Sequence, residues 1–83
     1  MRMDLITFRS ITPAQRAQRL LQRAGIGCTL QRTPKSLAQQ GCGYCLRLRP
    51  EDVGRAVELL RAQNVPMSKV YAGYEDGPRE WMP

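Results

Sequence analysis

The chain reads as an α+β protein of the ferredoxin-like class, a β-α-β-β-α-β plait with a four-stranded antiparallel sheet and two helices on one face. Three observations lead there. Two amphipathic segments, each opened by a proline and closed by a turn residue, alternate with four short stretches rich in β-formers. Two right-handed β-α-β crossovers of this size interleave into one sheet. The length, 83 residues, leaves room for one domain and no more. Residues 1–72 are expected to form that domain and residues 73–83, rich in Gly, Pro and charge, a loosely ordered tail.

Each element has a local cause. Residues 3–8, Met-Asp-Leu-Ile-Thr-Phe, are short and β-prone and read as the first strand. Thr12-Pro13-Ala14-Gln15 carries helix-start chemistry, with Thr12 as cap, Pro13 at the first helical position and Gln15 as the capping-box partner. Ala14, Ala17, Leu20, Leu21 and Ala24 then recur at helical steps, with Arg16, Arg19 and Arg23 in the same rhythm on the outer face. Gly25 stops the helix, because glycine takes the left-handed conformation without a steric penalty. Residues 26–32 read as a second strand. Thr33-Pro34 repeats the helix-start pattern, and Gly41 closes a short helix expected over 34–40. In 44–48, Tyr-Cys-Leu-Arg-Leu, period two places Tyr44, Leu46 and Leu48 on one face and Cys45 and Arg47 on the other. Pro50-Glu51-Asp52 opens the second long helix, with acids at its positive end, and Val53, Ala56, Val57 and Leu60 form its buried stripe. Gly54 weakens this helix by about 1 kcal/mol relative to alanine. Asn64 and Pro66 end it, and residues 67–72 supply the last strand. A plait of this kind leaves its second sheet face bare, with Cys45 and Arg47 on it, which favours a homodimer or a tightly bound partner.

Composition narrows the chemistry. There is no histidine, which removes Cys-His and Ser-His catalysis and every His-containing metal site. Three cysteines cannot all pair within one chain, and three thiols fall short of a four-ligand zinc site. No metal and no cofactor is expected. The absence of a long apolar run, and an N-terminus unlike a signal peptide, point to a cytoplasmic protein without membrane attachment. Charge is uneven: residues 1–49 hold nine Arg or Lys and one acid, a balance of +8, and residues 50–83 hold four against six, a balance of −2. That basic surface is open to RNA, an anionic ligand or an acidic protein.

Cys42-Gly43-Tyr44-Cys45 is the sharpest local feature. Two thiols three positions apart at a loop-to-strand junction can form a disulfide or pass a sulfur atom as a persulfide. A thioredoxin-like motif would open a helix after a strand, whereas this one precedes a strand. Cys28 reads as a core residue. Lys35, Arg32 and Arg47 are candidate cations to favour a thiolate at Cys42. A helix over 34–40 would act in the opposite sense, since Cys42 would follow its negative end. Gly41 and Gly43 leave that thiol free of neighbouring side-chain bulk.

The segments Leu5-Ile6-Thr7-Phe8-Arg9-Ser10, Leu20-Leu21 to Gly25-Ile26, Thr33-Pro34, Cys42-Gly43-Tyr44-Cys45-Leu46 and Pro50-Glu51-Asp52 resemble one family over roughly residues 4–72. It is the family of short bacterial and archaeal selenium/sulfur carrier-like proteins. Its cysteine corresponds to Cys42 and its glycine to Gly43. At the position of Cys45 the family commonly has a small residue such as alanine, so the second thiol is a departure. The resemblance implies a carrier rather than a turnover enzyme. Cys42 would accept sulfur or selenium from a cysteine desulfurase or a selenide donor and pass it to an acceptor protein. Cys45, separated from Cys42 only by Gly43 and Tyr44, is expected from that proximity, not from the resemblance, to resolve Cys42 through a reversible disulfide. The competing class is a small basic binding module with structural cysteines, either an RNA binder or a regulatory ligand or dimerisation domain. Against RNA, the strands carry no RNA-recognition motif pair, and Phe8 and Tyr44 are expected to face the helices.

Overall fold

A computed structural model describes residues 3–35 and 43–72, together with the backbone of 79 and 80. Its elements are β1 (Asp4–Phe8), α1 (Ile11–Arg23), β2 (Cys28–Arg32), β3 (Tyr44–Leu48), α2 (Pro50–Ala62), β4 (Val70–Ala72) and β5 (Arg79–Glu80). The sheet order is β2-β3-β1-β4-β5, with every neighbouring pair antiparallel. The first four strands and two helices form the expected ferredoxin-like plait. Arg79 and Glu80, in the segment expected to be a loose tail, pair with Ala72 and Tyr71 and add a fifth strand.

The core lies between the sheet and the helices. Ile6 and Phe8 of β1 and Leu46 and Leu48 of β3 meet Ala14, Ala17 and Leu21 of α1 and Val53, Ala56, Val57 and Leu60 of α2. Leu20, Cys28, Leu30 and Tyr44 pack at its margin. Alternation in the strands and three- and four-residue steps in the helices bring these residues to one side, as the pattern requires.

Both long helices end in the same motif. In α1 the N–H of Ile26 donates to the Leu21 carbonyl at 2.8 Å and that of Gly25 to Gln22 at 3.1 Å, with Gly25 at φ 78°. In α2 Val65 donates to Leu60 at 2.9 Å and Asn64 to Arg61 at 3.1 Å, with Asn64 at φ 56°. These are Schellman closures, in which a left-handed residue lets its own N–H and that of the next residue satisfy the last carbonyls. The accompanying apolar pairs, Ile26 with Leu21 and Val65 with Leu60, are all buried.

The start of α1 departs from expectation. Thr12 is not its cap. The helix begins at Ile11, after an extended Ser10 that makes no side-chain capping bond. Pro13 then sits in the first turn, where N–H groups have no intrahelical acceptor, so a proline loses nothing there.

The second face of the sheet is not bare. Leu5, Thr7 and Cys45 point to the side away from the helices, yet they are 0 %, 1 % and 0 % exposed within a single chain. Strand alternation placed Cys45 and Arg47 on this face correctly, but the face is not uniformly bare: its centre at Leu5, Thr7 and Cys45 is buried, while Gln31, Arg47 and Tyr71 are half-buried and Thr29 is exposed. Cys45 therefore drops out of the argument that an uncovered sheet calls for a homodimer.

Candidate functional site

The candidate site is the sheet end where β1 finishes and β3 starts. Phe8 pairs with Tyr44 and Tyr44 with Arg32, so three strands contribute there. The Thr33 N–H donates to the Gly43 carbonyl at 3.1 Å and extends the β2–β3 ladder by one step. Thr33 thus continues β2 by one step, and two residues later Lys35 begins a 3-10 turn. Cys42, Gly41 and most of the helix expected over 34–40 lie outside the described residues. Gly43 is described, half-buried, and a Cβ built on it would meet nothing within 4 Å.

Cys45 is fully buried on the face opposite the helices. Its sulfur points to the Arg32 carbonyl at 3.9 Å, a long contact even for a thiol. Burial pushes its pKa up, because a thiolate loses hydration there, and the Thr33 and Gln31 side chains beside it pull weakly the other way. Thr33 is 8 % exposed, and its Oγ1 is buried with no hydrogen-bond partner. Sequence reasoning missed Thr33 and Gln31 as neighbours of Cys45. The available signal was their shared parity on β2, but reading it requires the β2–β3 register, which pairs Gln31 with Cys45. Cys28 lies on the helix side, half-buried at the core margin, and burial raises its pKa as well.

The three candidate cations do not share a face. Arg32 is exposed and sits over the Tyr44 ring at 5.1 Å, a cation–π contact on the helix side of the sheet. Arg47 is half-buried, opposite Leu5 and Thr29, and belongs to the other face. Strand alternation requires this, since Tyr44 and Arg47 are an odd number of residues apart. Lys35 is exposed, three residues beyond Arg32. Arg32 and Lys35 thus flank the junction that precedes β3, while Arg47 stands roughly 10 Å along the strand from Tyr44, at about 3.3 Å per residue.

Beside this sheet end, a cavity of about 470 Å³ is lined by Arg9, Ser10, Pro13, Pro66, Met67 and Ser68. The chain passes from there into β4 through four bonds with Thr7: the Ser68 N–H donates to the Thr7 carbonyl and the Thr7 N–H to the Lys69 carbonyl, each at 2.8 Å, beside two that involve the Thr7 hydroxyl. The Lys69 N–H donates to Thr7 Oγ1 at 2.9 Å, and Thr7 Oγ1 donates to the Lys69 carbonyl at 3.1 Å. Among the described residues no group of three or more Cys, Asp or Glu is placed to hold a metal ion, and no helix is long and apolar enough to cross a membrane. On the face away from the helices, Tyr71 is the aromatic side chain among the described residues and is half-buried opposite Leu5.

A family model described as "Putative Se/S carrier protein-like" matches residues 4–72. No curated protein and no solved structure gives a significant match.

Proposed function

The chain belongs to that Se/S carrier protein-like family, and from this premise we propose that it carries sulfur or selenium on Cys42. The observation that carries the reading is the family match, which spans the Cys42-Gly43 segment and nearly the whole domain. Two features of the fold support it. The other two thiols are both poor nucleophiles: Cys45 is buried in a central strand, Cys28 is half-buried, and burial raises the pKa of each. The junction before β3 is flanked by exposed Arg32 and Lys35, cations of the kind that favour a thiolate.

The chemistry asks little of a small domain. The Cys42 thiolate attacks the outer sulfur of a persulfide held by a cysteine desulfurase. The donor cysteine leaves as a thiolate, and Cys42 keeps the sulfur as a new persulfide. A selenide donor supplies selenium in the same oxidation bookkeeping when it arrives bonded to a donor thiol. An acceptor protein then takes the atom by the reverse displacement. No pocket and no general base are needed, which suits a chain without histidine. In the resolving step, Cys45 attacks the inner sulfur of Cys42 and releases hydrosulfide, leaving a disulfide for a cellular dithiol to reduce. Because Cys45 is buried, that step requires the strand end to open first, so loading and resolution are separable.

The test is incubation with a cysteine desulfurase and cysteine, followed by intact-mass measurement and peptide mapping. One added chalcogen atom on Cys42, removed by reductant, is the expected result. Cys42→Ser abolishes it, Cys28→Ser does not, and Cys45→Ala leaves loading intact while lengthening the life of the adduct. Loading that survives Cys42→Ser refutes the proposal.

A further inference from the structure

The two long helices have equal length and very different outer faces. Each is thirteen residues. On α2 the exposed positions interleave Glu51, Arg55, Glu58 and Arg61, so the charges offset one another. On α1 there is no acidic residue from Ile11 to Arg23, and the exposed positions are Thr12, Gln15, Arg16, Arg19, Gln22 and Arg23. Arg19 stands at the centre of that face by helical spacing, three residues from Arg16 and four from Arg23. Like charges at those spacings repel and weaken a helix. The repulsion is only partly relieved inside the chain. Arg16 Nη2 donates to the Gln63 carbonyl at 3.1 Å, at the C-terminus of α2, where a cation is favoured. Arg19 and Arg23 have no carboxylate partner among the described residues. Gln15, Gln18 and Arg19 instead line a shallow hollow of about 240 Å³.

We propose that this Arg-Gln face of α1 is a docking surface for an acidic protein partner, which inserts an Asp or Glu carboxylate into the Gln15-Gln18-Arg19 hollow. Charge complementarity selects the occupant. The Arg19 guanidinium offers a planar pair of donors that matches a carboxylate, and the two amides beside it supply further donors and acceptors. Arg23 and Arg16 extend the positive surface on one side of Arg19 and steer an acidic surface toward it. A single-stranded nucleic acid held by base stacking is disfavoured because this face has no aromatic side chain, and binding through phosphates alone is the competing outcome that the RNA probe below reads. The inference stands on the helix alone and is independent of which cysteine, if any, bears a chalcogen.

The experiment uses the full chain and two fluorescent probes. One is a synthetic helical peptide with glutamates at four-residue spacing, the other a single-stranded RNA of matched charge. Anisotropy is read at low and at physiological salt. The double variant Arg19→Glu with Arg23→Glu is compared with Arg55→Glu plus Arg61→Glu, which changes net charge equally on α2. Peptide affinity falls at least tenfold for the α1 pair and less than threefold for the α2 pair. Arg19→Gln with Arg23→Gln, which preserves helix propensity, reproduces most of the loss while the circular dichroism spectrum stays native. Equal losses for both charge-reversed pairs would mean attraction by net charge alone and would overturn the proposal. So would absence of peptide binding, or RNA binding tighter than peptide binding with the same dependence on Arg19.

Discussion

Alkylation of the native chain should separate its thiols by burial. Cys45 is 0 % exposed and lies on β3, which is bonded to β2 on one side and β1 on the other. Fraying of β5, the far edge, does not expose it, whereas β2, the near edge, covers one side of its strand. A reagent reaches its sulfur only after β2 has lifted away or the domain has unfolded. Domains are stable by about 0.05–0.15 kcal/mol per residue, or roughly 4–12 kcal/mol at this length. Modification through global unfolding is therefore slowed at least about 10³-fold relative to the unfolded chain, since each ~1.4 kcal/mol is a factor of ten. The assay is iodoacetamide labelling with timed quenching and peptide mapping, run in buffer and in guanidinium chloride. Cys45 labels with a protection factor above about 10³, and Cys28, half-buried at the core margin, labels faster than Cys45. If Cys45 in the native protein reacts within tenfold of its unfolded rate, its burial in the central strand is wrong. The separation of loading from resolution then falls with it.

Stability tests follow from the same geometry. Gly54 is exposed within α2, and a Cβ there meets nothing within 4 Å, so Gly54→Ala stabilises by about 0.8–1 kcal/mol. Calorimetry should show Tm rising by roughly 4–8 °C for each kcal/mol. Asn64 closes α2 at φ 56°, so Asn64→Val lowers the urea-derived stability by about 1–2 kcal/mol, whereas Asn64→Gly does not lower it. Leu46→Ala removes a fully buried side chain at the centre of the core and costs about 2–5 kcal/mol, enough to leave a domain of this size partly unfolded by circular dichroism at 37 °C. Stability also depends on pH through the thiols. Their folded pKa values lie above the unfolded ones, so their contribution is whole below the unfolded value, near 9.0, and is lost as pH rises through the folded values. Cys45→Ala flattens that alkaline decline in urea titrations, and an unchanged slope would contradict the burial of its thiol.

The local code of the chain was enough for its architecture. Alternation in 44–48, the stripe Val53-Ala56-Val57-Leu60, the stripe Ala14-Ala17-Leu20-Leu21 without the Ala24 grouped with it, which is exposed at the helix end, and the stops at Gly25 and Asn64 appear as read, because each depends on residues within one turn or one strand. Cys42 as the candidate thiol was also legible, from its flanking glycines and the family resemblance. Four things depended on distant segments. Ser10 rather than Thr12 precedes α1, and the two-residue β5 acquires its order by pairing with β4. The register that joins Arg32 to Tyr44 and Gln31 to Cys45 separates Arg32 from Arg47 and sets Thr33 beside the buried thiol. Burial at the centre of the second sheet face turns Cys45 from an expected surface thiol into an interior one. Periodicity states which residues share a face. Only the packed chain decides which faces meet one another and which meet water, because burial is a property of neighbours that the linear pattern does not contain.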